Sequence, residues 1–121
     1  MGCDIHGDIE FREHNNDQYW NFARLGSSPR SYAVFGALAG VRNNNYVEPV
    51  APDRGVPIDV AWRTQDHLKE DDGDAHSHSW VTTEEFAEAL NRADAEHDEY
   101  RAMLAAMRCL PNARFVFWFD N

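Results

Sequence analysis

Residues 3–12 alternate in character, and that alternation constrains the fold more than any other feature of the chain. Cys3, Ile5, Gly7, Ile9 and Phe11 fall on one side, and Asp4, His6, Asp8, Glu10 and Arg12 on the other. A period of two marks a half-buried β-strand. One side of residues 3–13 is therefore expected to pack on a core. The other lines up carboxylates and an imidazole.

The chain has 121 residues, of which 43% are hydrophobic and 12% aromatic. That suits one compact domain with a real core rather than a disordered chain. No apolar run is long enough to span a bilayer, and no basic-then-apolar start reads as a signal. A soluble cytoplasmic protein with no membrane partner is the expectation. The net charge is −10, so the basic footprint of direct nucleic-acid binding is missing. Lys69 is the single lysine; the other cations are arginines. A GC-rich genome and a salt-rich, halophilic cytoplasm both account for this bias, since salt screens the repulsion among excess acids. Cys3 and Cys109 are not in a CxxC pair, so two buried free thiols are expected. Cys3 as a nucleophile with His6 or His78 as its base is the thinner alternative.

After the first strand, residues 14–17 form a turn rich in Asn and Asp. Residues 18–25 complete a hairpin, and Gly26-Ser-Ser-Pro29 breaks it. Tyr32, Phe35, Leu38 and Ala39 recur at helical spacing and predict a helix over 30–41. Gly36 and Gly40 weaken it or let it approach the sheet. Arg42-Asn-Asn-Asn45 ends it, with Asn in the left-handed position. Residues 46–57 read as an ordered loop. Asp59 is expected to cap a short helix to about Leu68, followed by an acidic, solvated turn over 70–74. Thr82 and Glu85 make a capping box. Phe86, Leu90, Ala93, His97, Tyr100, Leu104 and Met107 then form one stripe, predicting a single helix over 83–108. His97 reads as a core or edge residue on that stripe, and His14 and His67 as surface residues. Phe115-Val-Phe-Trp-Phe119 is apolar on both faces and reads as a central strand. The expected fold is α+β: an antiparallel sheet of about three strands (N-terminal hairpin plus C-terminal strand) packed against a long helix and shorter ones.

Several motifs recur together in one order. They are the opening Met-Gly-Cys-Asp-Ile-His, Arg30-Ser-Tyr-Ala-Val-Phe-Gly-Ala-Leu-Ala-Gly-Val-Arg-Asn43, Arg54-Gly-Val-Pro57, His76-Ser-His-Ser-Trp80 and the terminal Phe-Val-Phe-Trp-Phe-Asp-Asn121. In this combination the chain resembles a family of small proteins encoded by tailed viruses and prophages of bacteria and archaea. The resemblance covers nearly the whole chain. It implies a viral origin and carries no assigned activity, so no residue role comes with it.

Asp4-x-His6 and His76-x-His78 are the candidate chemical groups. On extended segments, each pair would point to one side. Folded together, they would offer an Asp and three His to a divalent metal, Zn²⁺ or Mn²⁺. Asp8 and Glu10 are the candidate catalytic or supporting carboxylates. Arg30, Arg42 and Arg54 are the candidate phosphate clamp. These residues point to a metal-binding hydrolase acting on a phosphoester or nucleotide-like small molecule. Two other readings stand beside it. His76 and His78 can belong to a polar loop anchored by Trp80. The chain can also be a non-catalytic acidic module that engages a host protein or sequesters a small ligand. Exposed sheet edges make a homo-oligomer a further expectation.

Overall fold

The computed structural model describes residues 2–25, 30–44, 46–71 and 73–121. The expected break at 26–29, Asn45 and Asp72 of the acidic turn lie outside them. The fold is α+β, with one antiparallel sheet of four strands. The strands are β1 (Asp4–Phe11), β2 (Trp20–Arg24), β3 (His76–Thr82) and β4 (Arg114–Asp120), and their order across the sheet is β2-β1-β4-β3. The helices are α1 (Tyr32–Ala39), α2 (Trp62–Glu70), α3 (Thr83–Arg92) and α4 (Asp98–Cys109). The fourth strand is β3, the His-Ser-His-Ser-Trp segment, whose polar composition hid its strand character.

β4 is central, as its apolar run requires, and every residue from Arg114 to Phe119 is buried. One face of the sheet holds the core. Ile5, Ile9, Val81, Phe115, Phe117 and Phe119 pack there against Phe35, Phe86, Tyr100 and Met107 of α1, α3 and α4. Edge-to-face contacts join Phe35 to Phe119 and Phe86 to Phe115. The opposite face carries His6, Asp8, Glu10, Arg114 and Trp118. It is covered by α2, through bonds from His67 to Asp8, Asn21 to Thr64 and Trp118 to Asp71. The alternation in β1 is therefore real, but the middle of its polar side is not solvated, while Asp4 at its start is exposed. Asp8 and Glu10 are fully buried.

The expected long helix is two helices. Asp94 sits in the left-handed region with φ 51°. Ala95 N–H bonds Leu90 O and Asp94 N–H bonds Asn91 O, the paired closure of a Schellman turn. The stripe survives because both helices present it to the same core. The capping box forms as expected: Glu85 N–H donates to the Thr82 hydroxyl, and Thr82 N–H donates to the Glu85 carboxylate.

Other boundaries shift for local reasons. α1 is capped by the Ser31 hydroxyl and closes on Gly40 at φ 72°, ahead of the Asn run. Gly36 faces not the sheet but Asn43, whose side-chain amide bonds Val47 in both directions. α2 begins after Ala61 with no side-chain cap, because Asp59 is engaged by Arg114 instead. Cys3 is buried, but Cys109 is exposed. Among the described residues no helix is long and apolar enough to cross a membrane.

Candidate anion-binding cavity

The histidines of β3 do not share a face. Ser77 adopts φ 57°, and the β3–β4 register shifts between His76 and Ser79. This irregularity cancels the same-side rule for an x-spaced pair. His76 stacks on Phe119 and His78 on Trp118, neighbours on β4 that point to opposite faces. His6 stacks on the same Trp118 from β1. The strands carrying His6 and His78 are therefore two strand spacings apart, roughly 10 Å. His6 Nε2 bonds the Asp120 carboxylate at 2.5 Å, and its Nδ1 lies 3.8 Å from Asp71. Asp4 is half-exposed and paired with Arg30. The structure thus brings His6 and His78 to one face around Trp118, engages Asp4 with Arg30 at the start of β1, and sends His76 to the other face. Among the described residues no group of three or more His, Cys, Asp or Glu is placed to hold a metal ion.

The expected clamp arginines are also occupied. Arg30 bonds Asp4 through Nε and Nη2, and Arg42 lies over the Tyr32 ring. Arg54 forms a two-pronged pair with Glu85, both contacts 2.7 Å, and also donates to Trp80 O. Its guanidinium holds the Glu85 carboxyl below the usual carboxylate range. Burial pushes the Cys3 thiol up, which favours an inert thiol over a nucleophile.

The two expected carboxylates anchor α2 and the loop before it. Asp8 Oδ2 accepts from His67 Nδ1 at 2.7 Å, while its Oδ1 is buried with no partner among the described residues. His67 is thus mostly buried rather than a surface residue. Glu10 accepts from Arg114 at 2.8 Å and from Ala61 N–H at 2.9 Å. Arg114 also bonds the Asp59 carboxylate and its backbone oxygen.

Arg114 belongs to a ladder in which guanidinium groups and rings alternate. Arg12 lies 4.4 Å from the Tyr19 ring centre, Arg114 lies 3.5 Å from the same ring and 5.7 Å from Trp80, and Arg54 lies 4.4 Å from Trp80. Stacking of this kind attracts each guanidinium electrostatically to the ring face and fixes its plane. The ladder borders a cavity of about 490 Å³ at the end of the sheet, where β3 runs into α3 and α4 turns into β4. Three arginines line it (Arg12, Arg108 and Arg114) against one acid, Glu84. Met107, Leu110 and Ala113 give it an apolar wall. Arg12 Nε is buried and has no acceptor among the described residues.

Sequence reasoning placed Arg12 beside Glu10 but gave it no role, and passed over Arg108 and Arg114. The available signal was Arg114 itself, a charge at the start of an apolar strand. Its meaning depends on the Glu10–Arg114 strand pairing. No protein-family model, no curated protein and no solved structure matches this chain.

Proposed function

We propose that the protein binds a phosphate-bearing small molecule of roughly nucleotide size in this cavity. The observation that carries the reading is the buried Nε–H of Arg12, which has no acceptor among the described residues. Buried donors without acceptors are rare in folded proteins; a turn of the Arg12 guanidinium off Tyr19 toward the cavity would let a ligand's oxygens meet Nε and Nη together in the bidentate geometry of arginine. Two further features support it. The volume falls in the range of small-molecule sites. In a chain of net charge −10, three arginines and one glutamate on the wall make this one place where an anion meets concentrated positive groups, offset by Glu10 and Asp59 behind them. The apolar wall suits the flat or carbon-rich body of such a ligand. The reading keeps the phosphoester class expected from the sequence and assigns its recognition to Arg12, Arg108 and Arg114. It is a binding function and invokes no bond cleavage.

Thermal denaturation in the presence of AMP, ribose 5-phosphate and inorganic phosphate tests it. A ligand that binds only the folded state raises the melting temperature as its concentration passes Kd. The expected result is a saturable rise with at least one phosphoester, lost in Arg12→Met and in Arg108→Gln. No rise with any of them at millimolar concentration would overturn the reading.

A further inference from the structure

Arg114 has two counter-ions, and they differ in kind. Glu10 is fully buried and held from two sides, by Arg114 and by Ala61 N–H. Its removal from the guanidinium would strand a charge beneath α2. Asp59 binds the same guanidinium, Oδ1 to Nη1 at 3.0 Å, but its side chain is 51% exposed. Its other oxygen lies 3.9 Å from Nη1 of Arg12. One half-exposed carboxylate thus bridges two of the three arginines that line the cavity. Asp59 does not itself line the cavity; it holds nitrogens of these two arginines from the segment before α2.

We infer that Asp59 is an internal competitor for these two arginines, a carboxylate that a phosphate-bearing ligand in the cavity displaces from Arg12 and Arg114. The inference rests on the binding reading above and adds a regulatory element to it. Three observations support displacement of Asp59 rather than Glu10. Asp59 can swing into water at small cost, because half of its side chain is already there. It lies in the segment between Pro57 and α2, outside any helix or strand. It is not committed as the cap of α2, which starts after Ala61 without a side-chain cap. Displacement also fits the charge balance. Without Asp59, the groups Arg12, Arg108, Arg114, Glu10 and Glu84 sum to one positive charge. A dianionic phosphomonoester is then attracted more strongly than the single carboxylate it replaces. The ligand class favoured is therefore the phosphomonoester, whose second ionisation falls near pH 6, over singly charged phosphodiesters and carboxylates.

Displacement has a structural consequence. Arg114 also donates to the backbone oxygen of Asp59, so releasing the side chain loosens the segment leading into α2. Ligand binding and a looser 58–61 segment are coupled.

The test uses AMP as the probe with the full chain. Calorimetric titration compares wild type with Asp59→Asn, and amide hydrogen exchange follows wild type with and without AMP. If the closed form with Asp59 in place holds about 80–90% of the population, its removal tightens AMP binding by roughly fivefold to tenfold. In wild type, saturating AMP is expected to speed exchange in segment 58–61 while slowing it at the cavity wall. AMP binding equal or weaker in Asp59→Asn, or slower exchange at 58–61 on binding, overturns the competitor role and leaves the binding reading standing. No AMP binding in either protein overturns the competitor role as stated, and overturns the binding reading too when ribose 5-phosphate and inorganic phosphate also fail to raise the melting temperature. The exchange measurement needs no variant, so it decides the matter even where Asp59→Asn fails to fold.

Discussion

Replacing Arg114 by Met should be among the most damaging single changes in this protein. Arg114 is 5% exposed and Glu10 0%, so the substitution leaves a buried carboxylate with one remaining donor, Ala61 N–H. Stripping one partner from a buried pair costs about 3–5 kcal/mol. Domains of this size are stable by only about 5–15 kcal/mol. At about 4 °C per kcal/mol the melting temperature should fall by about 12–20 °C. The pair itself need not be stabilising relative to an apolar one, because desolvation offsets much of its attraction. Glu10→Leu combined with Arg114→Met should therefore recover at least half of the loss. Urea denaturation followed by circular dichroism measures all four corners of the cycle. A loss below about 1 kcal/mol for Arg114→Met, or a double variant no more stable than that single one, would refute the argument.

Other outcomes follow from single observations. Glu85 is held in its charged form by Arg54. Its folded pKa lies below its unfolded value of about 4.3, so the unfolded chain binds more protons in acid and this stabilisation, present above that pH, is lost as pH falls through the folded value. Arg54→Met should flatten stability between pH 5 and pH 3, read by denaturant titration at each pH; an unchanged slope would count against the pair. A maleimide should label Cys109 alone in the native protein at neutral pH and both thiols in urea, because burial protects Cys3 and raises its pKa; fast native labelling of Cys3 would contradict its place in the core. Gly7→Ala should destabilise by about 1–3 kcal/mol, since its new Cβ would lie 2.4 Å from Val116 O and 2.6 Å from the Phe115 ring; a wild-type melting curve would show that β1 and β4 pack less tightly than described.

The parts of the fold that sequence made legible are those set by local periodicity and local bonding. The alternation of β1, the double-sided apolar run of β4 and the Thr82–Glu85 box each depend on residues a few positions apart. The split between α3 and α4 was not legible, because Asp94 takes a left-handed position that Gly usually signals. β3 was not assigned as a strand because its outer residues are polar and Ser77 breaks its alternation. The candidate site failed to gather for the same reason: one positive φ sends His76 and His78 to opposite faces. Asp8 and Glu10 lie, as the alternation predicts, on the side of β1 opposite the core residues Ile5 and Ile9. Their burial could not be read, since it comes from α2, a helix with a single buried residue, Thr64. The cavity arginines come from the end of β1, the end of α4 and the start of β4, so only tertiary pairing brings them together.

The most direct measurement is the side-chain Nε–H signal of Arg12 in a nitrogen-15 NMR titration with AMP. The account predicts a saturable downfield shift and slower solvent exchange at that one resonance, as that donor acquires a phosphate oxygen. A signal that stays in place while AMP reaches about ten times 1 mM, a range that covers any binding stronger than about −4 kcal/mol, would contradict it.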